Sequence, residues 1–466
     1  MGKKIIVIGS GLAGSLICNE LAVDCEVTLL EKGHKDAIEY PAVDFVGKHF
    51  GAVKTFCIGG GGTTNIWDNG LIPINPEDVS SIPFARIVRD ARQYTDKAAV
   101  NLYFAQKRYS TEYQSVLSEM TDVANGFGMF SDGVDCLLYP KSHKRLYVSS
   151  KVNRVYDVDD INFAVENGRV KAVHYSAGGR QFRADPDAVI FCAGAMGTPL
   201  LIKKVLSAAG SASDLVGKGL ADHPMGFVGK IKVQKRYQKQ IQQMAYSDRG
   251  YYICRTAVRL KSECGRYTSC AFFRPALTLG NSLSIYKYKS LLGASKGAER
   301  LRNAFSPKLF HPDILAEIYS HLFGVQLKST IFNVMVIFEQ KRGNSRVYYD
   351  DAGIKVDWRL TDEEMAAYNN ILEKLKGMLL PFSEKLAIQI PVTSDWLWSA
   401  AHHSGTISVG SLPEGVVDEN LNLHGCDNVY ACDGSVIQEH SYANTGLTIG
   451  ALAMRLAERL LKRDVV

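Results

Sequence analysis

The stretch "KKIIVIGSGLAGSLICNELAVDCEVTLLEKG", Lys3 to Gly33, reads as an apolar strand, a glycine turn, a helix and a second strand that ends at Glu31. The glycines fall as Gly9-x-Gly11-x-x-Gly14, and each has its own task. Gly9 permits a tight turn, Gly11 lets the backbone approach a pyrophosphate, and Gly14 lets helix and strand pack closely. The helix N-terminus then faces the phosphates. Glu31, about 20 residues beyond the turn, is placed to accept hydrogen bonds from ribose hydroxyls, and its charge argues against NADP, whose 2′-phosphate it would repel. A G-x-G-x-x-G alone is weak, but strand, helix, strand and terminal acid in this order predict an α/β fold built on a Rossmann-like dinucleotide-binding unit. Whether the nucleotide is NAD or FAD stays open at this point.

The rest of the composition bounds the possibilities. A chain of 466 residues, 46% hydrophobic and 22% charged, suffices for two or three domain-sized units. No apolar run reaches the roughly 20 residues that span a bilayer, and the first strand begins so near Met1 that a cleavable signal has no room, so a cytoplasmic protein is expected. The 10 cysteines are scattered, without C-x-x-C pairs or metal-ligand spacing, as expected of reduced thiols and no metal site. A formal net charge of +6 with no helix-turn-helix, finger or RNP pattern gives no reason to expect nucleic acid.

Glycine-rich backbone recurs downstream. "CIGGGGTTNIWDNGLIP", Cys57 to Pro73, sets Gly61, Gly62, Thr63, Asn65 and Trp67 in a run that can lie flat against a ligand, since the apolar residues that follow would need burial. "DAVIFCAGAMGTPLLIKKVL" is a buried strand, Ala188 to Cys192, entering Ala193-Gly194-Ala195 and a helix with Thr198 and Pro199 in its first turn. Near the C-terminus a strand runs to Asp433-Gly434-Ser435, and a long apolar helix starts near Asn444. A ligand embraced by both ends of the chain is implied.

These segments together resemble one family, the glucose-methanol-choline (GMC) oxidoreductases. The marks, in the family's order, are the Gly9 to Gly14 fingerprint with Glu31, "GGGGTTNIWDNG", "FCAGAMGTP", "VGKGLADHP" from Val216, "FEQKRGNSRV" from Phe338, "HHSGT" from His402, "VVDENLNLHGCDNVYACDGS" from Val416 and "ANTGLTIGALAMRLA" from Ala443. The resemblance implies FAD as cofactor and oxidation of an alcohol or sugar, with FAD contacts at Gly9, Gly11, Gly14, Glu31, Gly61, Gly62, Thr63, Asn65, Trp67, Val152, Ala193, Gly194, Asp433, Gly434 and Thr445. In this family the catalytic histidine stands three residues before the glycine of the Gly-Thr turn, here His402, and its partner is a His or Asn before the last helix, here Asn444. A neutral imidazole can take the hydroxyl proton as hydride leaves the same carbon for flavin N5, while an amide fixes the substrate oxygen without competing for that proton. His403 is expected to be a structural or pocket-wall residue, because neighbours in an extended strand point to opposite faces, which also argues against a metal held by the two histidines.

The sequence departs from the family in the loop "IQEHSYANTG". The proline that many members carry after the Asn is Thr445, and another is Gln438, so a less rigid loop is expected. It places Gln438 and His440 near flavin and substrate, as further pocket candidates. FAD-binding pieces are expected at 1–75, 145–228 and 395–466, and a substrate domain, an α+β insertion on an antiparallel sheet, at 76–144 and 229–394. Within that domain "VMVIFEQ" and "SRVYYDDAGIKVDWRL" alternate with period two, and a capped helix begins after Thr361. Lys230 to Lys308 is rich in Lys, Arg and aromatic residues. It reads either as solvated sheet edges and helix faces or as a site for an anionic substrate or membrane surface, which would make the protein peripheral.

The leading expectation is an FAD-dependent oxidoreductase acting on a CH–OH group of a sugar, glycoside or polyol, with oxygen or a quinone-like electron acceptor. Lyase chemistry or oxidation of a sterol or aliphatic alcohol on the same fold is an alternative, and so is a flavin-free lipid- or partner-binding module resembling GDP-dissociation inhibitors. Several sugar-oxidising relatives attach FAD covalently through a His before the tryptophan of the glycine-rich loop, where this chain has Ile66. Noncovalent FAD is the prediction: acid precipitation should leave the yellow colour in the supernatant, and colour that stays with the precipitate would contradict it.

Overall fold

The computed structural model describes residues 2–462 except 42, 47–55, 68, 129, 143–145, 281–310, 324–326 and 352, together with the side chains at 317, 318 and 320–323. The opening segment forms strand β1 (Lys4–Ile8), helix α1 (Leu12–Leu21) and strand β2 (Glu26–Leu30), with β1 and β2 parallel. β9 (Ala188–Phe191) pairs with the other side of β1, β19 (Val429–Ala431) with β9, and β5 (Asn153–Val155) with β2. The result is a 5-stranded parallel sheet, ordered β19-β9-β1-β2-β5. Its central strands are continuous apolar runs, as burial on both faces demands. Two glycines are fixed by sterics: Gly9 has φ +106°, and a Cβ on Gly14 would lie 1.9 Å from the Gly9 carbonyl oxygen. Only a bare α-carbon lets α1 lie so close to the turn.

A second sheet has 8 strands: β11 (Ser247–Asp248), β12 (Tyr252–Lys261), β13 (Thr268–Ala276), β14 (Ile331–Phe338), β10 (Pro224–Val233) and β17 (Ser383–Ile388) in that order, with β4 (Val134–Pro140) on β12 and β18 (Trp398–Ser399) on β10. All its pairings are antiparallel. Helices α2 (Ile82–Ala91), α3 (Thr95–Asn101) and α4 (Tyr109–Asn125) precede β4. Helices α5 (Gly194–Ala208), α6 (Gln238–Ala245), α7 (Pro312–Phe323), α8 (Asp362–Leu379) and α9 (Gly446–Lys462) follow. Strands β6 (Val158–Glu166), β7 (Arg169–Ala177) and β8 (Arg180–Ala184) make a separate 3-stranded meander. None of the described helices is long and apolar enough to cross a membrane.

The helix expected after Thr361 is α8, closed by a reciprocal capping box in which Glu364 N–H donates to the Thr361 hydroxyl and Thr361 N–H to the Glu364 carboxylate. The period-two segment that precedes it in the sequence joins a different sheet from the rest of the expected substrate piece. β15 (Arg346–Asp350) and β16 (Gly353–Asp357) do form a hairpin, but their third strand is β3 (Val43–Phe45), parallel to β16, and Val347, Val356 and Trp358 bury against Met196 and Leu220. Alternation marks which residues face inward, not which layer receives them. Similarly, α2 and α3 lie on α9, where the buried Arg455 guanidinium bonds Asp90 at 3.2 Å. Part of the basic region is neutralised internally, because Lys230 is buried with its ammonium 2.7 Å from Asp313, while 281–310 falls outside the described residues.

Pro199 sits inside α5 rather than in its first turn, and having no N–H it leaves the Ala195 carbonyl without its helical donor. The Thr406 hydroxyl, fully buried, takes that place at 2.9 Å. The Gly-Thr turn is thereby bonded to the helix that begins at Gly194. Thr406→Val, which keeps the shape and removes the donor, should cost about 1–3 kcal/mol in denaturant unfolding, and an unchanged midpoint and slope would show that the bond contributes nothing.

Candidate active site

The N-terminus of α1 has no side-chain cap, so its first N–H groups face outward as an anion-binding end. A Cβ built on Gly11 meets nothing within 4 Å, and neither does one on Gly194 at the start of α5. A Cβ on Gly62 would lie 3.4 Å from the Gly11 α-carbon. Bare backbone from three segments thus borders open space at a helix N-terminus, and this cradle fits a dinucleotide pyrophosphate.

Other residues expected at the cofactor spend their polar atoms on the chain. Glu31 is buried and accepts from Ser10 N–H at 2.9 Å, the Ser10 hydroxyl at 2.7 Å, Gly33 N–H at 3.0 Å and Gly59 N–H at 3.2 Å. Its acceptor positions are filled by the turn it was expected to serve, so a ribose hydroxyl must compete with these donors. Asn65 donates to the carbonyls of Gly60 and Gly62 and so shapes its own loop. Asp433 accepts from Gly194 N–H at 2.8 Å and Thr198 at 2.5 Å, satisfying one of the open donors of α5 from the far end of the sequence. Gly434 approaches the His403 carbonyl closely, 2.9 Å from a built Cβ. Trp67 lies against Gly446 at the start of α9, Val152 is buried beside β5, and Thr445 accepts from Ile449 N–H in the first turn of α9.

The two adjacent histidines follow β18, which pairs with Pro224 and Met225 of β10. Ala401, at φ +62°, breaks the pleat, so the alternation expected of an extended strand does not hold. Both rings turn to one dipeptide, Asp222-His223. His402 places Nδ1 2.8 Å from His223 Nδ1, and its backbone N–H donates to Asp222 Oδ1 at 3.0 Å. His403 places Nδ1 3.0 Å from Asp222 Oδ2, close enough for attraction but off the line a hydrogen bond needs. Asp222 also accepts from His223 N–H at 2.7 Å and the Ser399 hydroxyl at 2.5 Å. The other nitrogen of His223 meets the Ser441 carbonyl at 2.8 Å. Three residues on, the Asn444 amide donates to the Gly70 carbonyl at 3.1 Å, which leaves its second amide hydrogen for another acceptor.

The loop that lacks the family's prolines is not slack. Ser435 to Ala443 is buried throughout. Glu439 accepts from Ser80 N–H, the Ser80 hydroxyl and Ser81 N–H, Gln438 accepts from the Ser81 hydroxyl, and Tyr442 donates to buried Asp135 at 2.7 Å. These bonds restrain the loop where prolines would have. They also turn Gln438 onto the cap of α2. His440 is fully buried, its ring centroid 4.0 Å from that of His223 at 69°, with no hydrogen-bond partner on either nitrogen.

Electrostatics follow from burial. Dehydration alone would raise the Asp222 carboxyl, but the His403 imidazole, the Ser399 hydroxyl and His402 hold it below its ordinary value. Burial, with the His440 and His402 rings adjacent, pushes the His223 imidazole well below its ordinary value and so keeps it neutral. Asp222 and His223 were missed as site residues. Their only signal in the sequence was the Asp-His pair before the proline of "VGKGLADHP", at the mouth of an apolar strand.

Residues 342–453 match a family model described as GMC oxidoreductase. Among solved structures, the crystal structure of pyridoxine 4-oxidase from Mesorbium loti aligns with a TM-score of 0.60 over 98% of this chain and 99% of that one, at 14% sequence identity, which is a likeness of fold. No curated protein sequence matches the chain.

Burial, with His402 and Lys341 adding to it and Asp222 opposing, lowers the His440 imidazole from 6.5 to about 4. Between those values the unfolded chain holds a proton that the folded one rejects, so stability falls as pH drops below about 6.5. His440→Leu should therefore lose about 2 kcal/mol less than the parent between pH 7.5 and pH 5 in denaturant unfolding. Equal losses in both would mean that His440 does not carry this dependence.

Proposed function

We propose that this member of the GMC oxidoreductases oxidises a CH–OH group of a small polar alcohol, of the sugar, glycoside or polyol class, to the carbonyl compound with noncovalently held FAD. The observation that carries the reading is the fixing of His402. Its ring and its backbone are each held at Asp222-His223, and His223 ties it to the loop that leads to Asn444. Such a ring can take a hydroxyl proton without first reorganising. The second amide hydrogen of Asn444 supplies a donor for the substrate oxygen.

The uncapped end of α1 with Gly11, Gly62 and Gly194 would hold the dinucleotide, and Ile66 offers no nucleophile for a covalent link. When bound, FAD supplies the hydride acceptor. Reoxidation by oxygen or a quinone-like acceptor completes the proposed cycle. Anaerobic mixing with sugars, glycosides, phosphorylated sugars, pyridoxine, and sterol or aliphatic alcohols, followed by bleaching of the flavin band at about 450 nm, tests the substrate class. Bleaching by sterols alone would overturn the polar-alcohol reading.

His402→Ala should slow flavin reduction by roughly 10² to 10⁴ with FAD retained. Asn444→Ala should fall between that variant and the parent, and His403→Ala should do less than either. Rapid-mixing reduction at saturating substrate measures all three. Near-normal reduction in His402→Ala would remove it as the base.

A further inference from the structure

We propose that His223 is a positioning residue that sets the tautomer of His402, holding the proton on Nδ1 and leaving Nε2 as the nitrogen that takes the substrate proton. This rests on the reading of His402 as the base.

The assignment follows from one acceptor. The Ser441 carbonyl, 2.8 Å from His223 Nε2, can only accept, so Nε2 of His223 carries a hydrogen. A neutral imidazole has one N–H, which leaves His223 Nδ1 as a bare lone pair. His402 Nδ1 lies 2.8 Å from it and must then be the donor. The neutral form of His402 so fixed is protonated on Nδ1 and basic at Nε2.

Three features keep the arrangement in place. His223 is fully buried, and its lowered basicity keeps it from becoming a second donor facing His402. His440 stands on its ring at 4.0 Å. Asp222 Oδ1 accepts both His223 N–H and His402 N–H, which holds the two backbones at the spacing the ring contact requires. When the substrate O–H bond breaks and a new N–H bond forms at Nε2, His402 becomes an imidazolium whose Nδ1–H still points at the His223 lone pair. His223 cannot pass a proton onward, because a backbone carbonyl is a poor base, so the charge stays on His402.

The test uses FAD-loaded, full-length protein with ¹⁵N-labelled histidine. Two-bond ¹H–¹⁵N correlation shows which ring nitrogen bears hydrogen, and the His402 signals are assigned by their loss in His402→Gln. The parent should show a protonated Nδ1 and a bare Nε2 at His402. His223→Leu should move that proton to Nε2 and slow flavin reduction by roughly 10²-fold, the low end of what a general base supplies. His223→Asn, whose side-chain oxygen replaces the Nδ1 lone pair, should keep the Nδ1–H signature and recover most of the rate. A bare Nδ1 on His402 in the parent, or an unmoved proton in His223→Leu, overturns the proposal. If His223→Leu fails to fold, the parent spectrum and His223→Asn still decide it. The proton pattern as expected with normal flavin reduction in His402→Ala would leave the tautomer assignment standing and remove the base reading instead.

Discussion

Asp222 is a fully buried carboxylate, and satisfying it determines how the site is assembled. An ionised group taken out of water costs several kcal/mol unless hydrogen bonds and opposite charge replace its hydration. Here the replacements are the backbone N–H groups of His223 and His402, the Ser399 hydroxyl and the His403 imidazole. Three of these partners, Ser399, His402 and His403, lie in one segment some 180 residues away from it. The carboxylate is therefore a staple between the entrance of β10 and the chain that carries both histidines. Everything proposed for His402 depends on that staple, because it fixes the backbone from which the ring reaches His223.

The same constraint operates in the glycine cradle at the start of α1. Glu31 and Asp433 follow the ends of β2 and β19, two strands of one parallel sheet, and both direct their oxygens at backbone N–H groups of glycine-rich turns. Glu31 gathers the first turn, the residue after β2 and the second glycine run. Asp433 binds the start of α5, whose first turn is also bonded to the Gly-Thr turn through the Thr406 hydroxyl and the Ala195 carbonyl. The Gly-Thr turn and the cradle are thus built on the same helix. A polar side chain in such a cradle organises backbone, and backbone without side chains leaves the space.

Around the staple, burial keeps the His223 and His440 imidazoles uncharged. His223 and His440 meet edge to face, dehydrated and poor proton acceptors, and the less rigid loop expected from the missing prolines is replaced by one restrained through Glu439, Tyr442 and the Ser441 carbonyl.

The sequence by itself determined what depends on local order. Strand, Gly9-x-Gly11-x-x-Gly14, helix and Glu31 specify the β-α-β unit because each step is a property of a few adjacent residues, and the capping box at Thr361 and the hairpin at 346–357 were readable for the same reason. Eight short motifs in one order carried His402 and Asn444 as candidates. Only the tertiary structure decided which layer the hairpin joins, that Ala401 turns the chain so that His402 and His403 both face Asp222-His223, and that Gln438 and Glu31 bond the chain itself. Those outcomes require partners far apart in the sequence to meet in a dry interior, where each buried polar atom must find a donor or acceptor. Periodicity records which side of an element is buried, and it holds no record of what waits there.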